Sequence, residues 1–116
     1  MRRLRGSLIG IDSGAEVLFS HHDNDGPMWA GPGPREIRRQ VAFSEAFTDD
    51  PVVSVGIEMW DIDGKTNQRA DLRAENVTPS GFELVFRTWG DTRVARIRAG
   101  WTALGPVRDD EAWDVV

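Results

Sequence analysis

The feature that most constrains this chain is a two-residue alternation of apolar and polar side chains, repeated in several segments that turn sequences separate. Successive side chains of a β-strand point to opposite faces, so each segment predicts a strand with one buried face. No segment keeps a helical period for three turns. Several short strands at this spacing predict an antiparallel sandwich or barrel. The predicted strands are Glu36–Phe43, Val53–Trp60, Arg69–Glu75, Phe82–Arg87 and Val94–Trp101.

The first third of the chain is less regular. Ala15–Phe19 predicts a short strand, whereas proline and glycine predict that His21–Pro34 is a loop without a helix. With 116 residues, the chain is expected to form one domain. We expect residues 1–34 to belong to the same domain as the sandwich over residues 35–105, with residues 106–116 as an acidic extension.

Composition excludes several classes of function. A net charge of -5 argues against nucleic acid as a partner, because phosphate binding needs a basic surface. No apolar run is long enough for membrane insertion, and the basic start Met1–Arg5 is not followed by the apolar region of a signal peptide. The chain is therefore expected to be cytoplasmic until it is released or exported, and to act outside the cell or within a virion-like particle. Without cysteine, disulfides and thiolate metal sites are excluded.

Two turns interrupt the alternation with side chains suited to a ligand. Asp61–Arg69 ends in an amide and a guanidinium, and Thr88–Thr92 places Trp89 in a turn between two predicted strands. Hydroxyl groups of a sugar can exchange hydrogen bonds with such polar groups, while the apolar face of its ring lies on an indole. The sequence therefore favours a sugar-binding site. The alternatives are that Trp89 covers the core and that Arg69 only pairs with Asp61 or Asp63.

Arginine alternates with apolar side chains along the later predicted strands, whereas the sequence contains a single lysine, Lys65. One interpretation is a solvated sheet face with cross-strand ion pairs. The other is a subunit interface, where arginine is favoured and lysine is depleted. Trp60 is also expected at an interface. The arginines concerned are Arg69, Arg73, Arg87, Arg96 and Arg98.

A set of short motifs lies between about Arg35 and Leu104. The motifs are, in order, Pro51-Val52-Val53, Trp60-Asp61, Asn67-Gln68-Arg69, Val77 to Phe82, Thr88-Trp89 and Trp101. Together they resemble the H-type lectin domain. The resemblance implies a six-stranded antiparallel β-sandwich that assembles as a homotrimer or a higher multiple. It also implies glycan sites near subunit junctions that prefer galactose or N-acetylgalactosamine.

The resemblance also suggests which residues bind the sugar. Asn67 and Arg69 match the family's Asn-x-Arg, whose arginine hydrogen-bonds sugar hydroxyls, and Trp89 matches its sugar-contacting tryptophan. Gly90 replaces a histidine that helps to hold the sugar in a family member. The family's acidic anchor before Arg-Glu is also missing, because Pro32-Gly33-Pro34 precedes Arg35 here.

The nearest upstream acids are Asp23 and Asp25, and we expect one of them to complete the carbohydrate site. The alternative is that galactose-type recognition is altered or lost. The rival hypothesis is a trimeric structural or receptor-binding tip module of a phage-like tail or surface appendage, without strong sugar binding. The two missing family contacts favour this rival, and the retained Asn67, Arg69 and Trp89 favour the lectin.

No cofactor, metal or catalytic site is expected. Asp61–Gly64 begins like a calcium loop, but Lys65 and Thr66 occupy positions that need an oxygen ligand and a glycine. His21-His22-Asp23 offers too few well-placed ligands for a metal. A glycosidase would need two carboxylates held apart across a cleft, and no sequence pattern supports such a pair.

Overall fold

A computed structural model describes residues 1–6 and 8–109, with the side chain of Asp23 left out of the description. It contains six strands, a 3-10 turn at His22–Asn24 and a one-turn helix, α1, at Pro27–Ala30. The strands are β1 (Ile9–Ser20), β2 (Arg35–Ala42), β3 (Val52–Ile62), β4 (Asp71–Thr78), β5 (Gly81–Thr88) and β6 (Val94–Pro106).

The strands form two antiparallel sheets that pack as a sandwich. Sheet A has the order β1-β6-β3, and sheet B has the order β2-β5-β4. The predicted all-β class is confirmed, and the sandwich is found rather than the barrel. Because β6 is the centre of sheet A and β5 the centre of sheet B, the β5–β6 turn that carries Trp89 passes from one sheet to the other.

Some predicted boundaries were wrong. β1 begins six residues before Ala15, since it pairs with β6 from Ile9 onward. β4 begins at Asp71, so Arg69 lies in the preceding loop. The expectation that His21–Pro34 contains no helix was also wrong, because Pro27 starts α1. Proline is accepted at the first helical position, where its missing N–H would have no helical partner. Of the predicted acidic extension, residues 110–116 lie outside the described residues.

The core lies between the two sheets and is rich in aromatic rings. Phe82 from sheet B lies 5.4 Å from Trp101 of sheet A, measured between ring centroids, and 5.7 Å from Phe43. The contacts between these rings hold the two sheets together at the end of the sandwich that is opposite the β5–β6 turn. Leu84, Phe86, Ile97 and Ala99 are fully buried between the sheets. The alternation in β5 and β6 therefore did identify the buried face.

The outer faces of the two sheets differ in chemistry. Sheet B carries a network of ion pairs on its outer face, with Arg38 and Arg87 each bound to several carboxylates, and Val85 is fully buried beneath it. Sheet A instead presents small and apolar side chains in register across its three strands. The rows are Ile11–Leu104–Val52, Ser13–Thr102–Ser54 and Ala15–Gly100–Gly56.

The arginines that the sequence placed opposite the apolar stripes lie on different surfaces. Arg73 and Arg87 lie on the outer face of sheet B, where they pair with Asp71 and neighbouring glutamates. Arg96 and Arg98 lie on sheet A and pair with Asp61 and Glu58, respectively. Arg69 lies outside the strands, in the loop before β4.

Candidate functional site

Three polar side chains from two loops meet at one end of the sandwich. Arg69 Nη1 donates to Asp91 Oδ1 at 2.9 Å, and Asn67 Nδ2 donates to the same oxygen at 3.2 Å. The backbone N–H of Asn67 also donates to Asp91 Oδ2, at 3.4 Å. The β3–β4 loop supplies Asn67 and Arg69, and the β5–β6 turn supplies Asp91. The structure therefore brings together the two predicted polar residues and adds a carboxylate.

Two buried threonines fix the backbone on which these side chains stand. Thr88 Oγ1 donates to Arg69 O at 2.6 Å, and Thr92 Oγ1 donates to Asn67 O at 2.7 Å. Thr92 Oγ1 also accepts from the N–H of Arg69 at 3.1 Å. Both hydroxyls are buried, so these bonds are protected from competition by water. The β3–β4 loop is thus bound to both ends of the turn that carries Trp89.

The turn itself exposes an indole. The side chain of Trp89 is 43% exposed, although most large apolar residues of β5 and β6 are buried. Gly90 has a φ of 69°, a left-handed conformation that favours glycine, and a Cβ at this position would lie 3.1 Å from Arg69 Nη1. Glycine therefore permits the turn and leaves the guanidinium uncovered. A shallow hollow beside the indole is lined by Pro34, Arg35, Glu36, Arg87 and Thr88.

Arg35 ties the loop before β2 to this turn. Its guanidinium donates to Gly33 O at 2.8 Å and Met28 O at 3.0 Å, and its Nη2 donates to Gly90 O at 3.3 Å. The N–H of Gly33 also donates to Gly90 O, at 2.9 Å. Partial burial lowers the pKa of Arg35 from its ordinary value, but the group remains charged. The sequence resemblance singled out Arg35 only as a landmark, and this bracing role was missed.

The acids predicted from the upstream loop are placed differently. Asp25 is exposed, with a left-handed backbone at φ 51°, where it ends the 3-10 turn. Within residues 1–6 and 8–109, no side-chain hydrogen bond joins Asp25 to Asn67 or Arg69, whose carboxylate partner is Asp91. The side chain of Asp23 lies outside the described part of the structure. A role for Asp23 or Asp25 in the site stays a prediction.

Asp91 is the carboxylate that sequence reasoning missed. Hydrogen bonds from the side chain and backbone of Asn67, together with the bond from Arg69, hold the pKa of Asp91 below its ordinary value. The alternative partners considered for Arg69 are occupied elsewhere, since Asp61 pairs with Arg96 and Asp63 approaches Arg93. The available signal was the Trp-Gly-Asp-Thr turn, because an acid two residues after an exposed indole can reach the same ligand.

The two histidines contact residues of the segment between β1 and β2. His21 Nδ1 accepts from the N–H of Met28 at 3.1 Å, and burial lowers the pKa of His21. The His22 ring lies 4.9 Å from the Trp29 ring, and the Arg93 guanidinium lies 4.4 Å from the centroid of the same ring. No cluster of three or more metal-ligating side chains occurs among the described residues. Across the same residues, no helix is both long and apolar enough to traverse a bilayer.

Comparison with known families gives one match that covers more than half of the chain. The model of the H-type lectin domain matches residues 38–104, which run from β2 through most of β6 and include Asn67, Arg69, Trp89 and Asp91. A protein of Fuscovulum blasticum named ATP synthase subunits region ORF 7 is 56% identical over 110 residues. This alignment covers 95% of the present chain and 96% of that protein, whose name states no activity.

The chain is also similar to the discoidins of Dictyostelium discoideum. Discoidin-2 is 35% identical over 81 residues, which cover 69% of this chain and 32% of discoidin-2. The solved structure of discoidin II superposes with a TM-score of 0.74 at 28% identity, covering 86% of this chain and 38% of that one. The chain therefore spans about a third of the length of the discoidins that it matches.

Proposed function

This chain belongs to the H-type lectin family, and we propose that it is a lectin that binds glycans at the Asn67–Arg69–Trp89 end of the sandwich. The observation that carries the proposal is an exposed indole beside a hydrogen-bonding cluster, on loops that buried threonines hold together. A pyranose ring has an apolar face for the indole and hydroxyls for the guanidinium and amide. The preferred sugars are galactose and N-acetylgalactosamine.

A homotrimer is the proposed assembly, with the outer face of sheet A at the subunit contact. Ile11 and Val52 on this face are 70% and 46% exposed in the single chain, and the row Ala15–Gly100–Gly56 consists of alanine and glycine. Small side chains allow close approach of a second backbone. The pairs Arg96–Asp61 and Arg98–Glu58 lie at the other end of sheet A from Ile11 and Val52, and the larger ion-pair network of sheet B would be more costly to bury. Trp60, also exposed, lies on β3 near this face. Several sites on one particle would raise the avidity for clustered glycans.

Calorimetric titration with N-acetylgalactosamine tests the sugar site. We expect saturable binding that Trp89→Ala abolishes and that Trp89→Phe partly retains, because phenylalanine keeps an apolar ring but a smaller one. Because Trp89 is exposed, neither variant should change the unfolding temperature by more than a few degrees. Unchanged binding in folded Trp89→Ala would contradict the assigned site.

The rival function, a trimeric structural or tip module without strong sugar binding, is favoured by two features. Asp91 already occupies one nitrogen of the Arg69 guanidinium, and the acid that the family places before Arg35 is replaced by Pro32–Pro34. A folded oligomer that binds no glycan would support the rival over the lectin.

A further inference from the structure

We propose that Asp91 sets the charge selectivity of the site, so that the Arg69–Asp91 pair accepts neutral sugar hydroxyls and rejects anionic sugars. This inference rests on the proposed glycan-binding function. Asp91 lies outside the family motifs that carried the resemblance. With this role for Asp91, the ligands are glycans whose recognised terminal residue carries no carboxylate or sulfate.

The Arg69–Asp91 pair retains hydrogen-bonding capacity for a ligand. A guanidinium has five N–H donors, and in the described residues the only side-chain partner of Arg69 is Asp91. Asp91 Oδ1 accepts two short bonds, whereas the contacts of Oδ2 with Asn67 are both 3.4 Å long. One sugar hydroxyl could donate to Asp91 Oδ2 while the adjacent sugar hydroxyl accepts from Arg69. Adjacent donor and acceptor groups of this kind fit a pair of neighbouring hydroxyls.

The Arg69–Asp91 pair is accessible to a ligand. The side chains of Arg69 and Asp91 are 37% and 55% exposed, respectively, although both are held by hydrogen bonds. Gly90 lies between Trp89 and Asp91, and any Cβ there would come within 3.1 Å of Arg69 Nη1. The missing side chain therefore keeps the pair open on the side of the turn that also carries the indole.

Charged side chains near the site are largely paired. Arg69 and Asp91 neutralise each other, and the neighbouring Glu36 and Arg87 also form a pair, at 2.7 Å. Arg35 keeps its charge, but its guanidinium is engaged by backbone carbonyls of the two loops. A carboxylate or sulfate that displaced Asp91 from Arg69 would leave Asp91 without its cation. An anion that lay beside Asp91 instead would be repelled, because like charges at hydrogen-bonding distance repel strongly.

The test is a glycan array that carries terminal galactosides beside their sialylated and sulfated forms. The chain should bind the neutral forms only. Asp91→Asn should lower binding of neutral glycans about tenfold to a hundredfold, the loss expected for one charge-assisted hydrogen bond. The same variant should gain binding to sialylated or sulfated glycans, because Arg69 then carries an unpaired charge.

Two further variants test the role of Asp91 separately from the proposed glycan binding, on which that role rests. Asp50→Asn makes the same change of charge in the exposed β2–β3 loop and should leave selectivity unchanged. The double variant Arg69→Gln with Asp91→Asn should lose the gained anionic binding. Asp91→Asn that keeps the parent's preference, or loses all binding without any gain, overturns the inference while the lectin stands. Parent protein that binds no glycan overturns the lectin, and this inference with it.

Discussion

Arg35 Nη2 donates to Gly90 O at 3.3 Å, which links two loops that are 55 residues apart in sequence. The same guanidinium holds Met28 O and Gly33 O, so one side chain joins α1, the segment before β2 and the Trp89 turn. Loop residues that bind ligands need such support, because loops are more mobile than the strands that carry them. The geometry of the candidate site therefore depends on a residue outside it.

Arg35→Lys should loosen the Trp89 turn. An ammonium group is not a planar fork and cannot reach carbonyls of both loops at once. The free energy of unfolding should fall by about 1–3 kcal/mol, and glycan affinity should fall with it. Chemical denaturation and calorimetry measure the two effects. Arg73→Lys is the matched control on the outer face of sheet B, where the arginine side chain is 62% exposed. Equal, negligible effects of both variants would disprove the bracing role.

Phe82→Ala should be among the most destabilising substitutions. The Phe82 ring is 2% exposed and contacts rings from the β2–β3 loop and from β6. Truncation of a buried phenylalanine typically costs about 3–5 kcal/mol, since it removes buried area and leaves a cavity. Denaturant unfolding should show this loss as a lower midpoint. A loss below about 1 kcal/mol would mean that Phe82 does not join the two sheets.

Stability should decrease in acid because of the ion pairs on sheet B. Hydrogen bonds from Arg38 lower the pKa of both Glu36 and Glu83 from the ordinary value of 4.5. A folded-state pKa below the unfolded one means that the carboxylates stabilise the fold above pH 4.5 and lose this effect as pH falls through the folded value. Denaturant unfolding at pH 7 and at lower pH measures the difference in the free energy of unfolding.

Variants of the same ion pairs provide the control for the effect of acid on stability. Glu36→Gln with Glu83→Gln should reduce the difference in stability between neutral and acidic pH, because the two titrating groups are gone. High salt should also reduce it, since the pairs are exposed to solvent. If the double variant loses stability in acid as steeply as the parent, the effect arises from other groups.

The proposed trimer predicts a particle of three times the 13.0 kDa chain mass in solution scattering or ultracentrifugation. Gly56→Arg should dissociate it, because the long charged side chain would project from the Ala15–Gly100–Gly56 row of sheet A. A Cβ at Gly56 meets no atom within 4 Å, so the isolated chain should tolerate the substitution. Gly64→Arg is the control, with equally open surroundings in the β3–β4 loop. A monomeric parent would rule out the trimer.

The alternation of side chains was sufficient to predict the sandwich strands and much of the core. Leu84, Phe86 and Ile97 lie inside because each belongs to an alternating segment whose other face is polar. The boundaries were less predictable, because β1 and β6 extend by pairing with each other along Ile9–Ser20. Such pairing depends on distant sequence and leaves little local signal. Helix α1 was missed for a similar reason. Its Met28 side chain is buried and the N–H of Met28 donates to His21, and these contacts stabilise a turn that composition disfavours.

The candidate site was predicted in part. Asn67, Arg69 and Trp89 were chosen from their motif, and the structure places them on adjoining loops. Asp91 and Arg35 were missed because Asp91 meets Asn67 and Arg69 from another loop, and Arg35 reaches Gly90 from 55 residues away. An ion pair across 22 residues has no sequence periodicity, so only the folded topology reveals it.

The most direct test of the account is a glycan array on the purified chain, run beside Arg69→Ala and the control Arg73→Ala. We predict binding to terminal galactose or N-acetylgalactosamine by the parent and by Arg73→Ala, and none by Arg69→Ala. A well-folded parent that binds no glycan on the array, or an Arg69→Ala variant that binds as well as the parent, would contradict the proposed site.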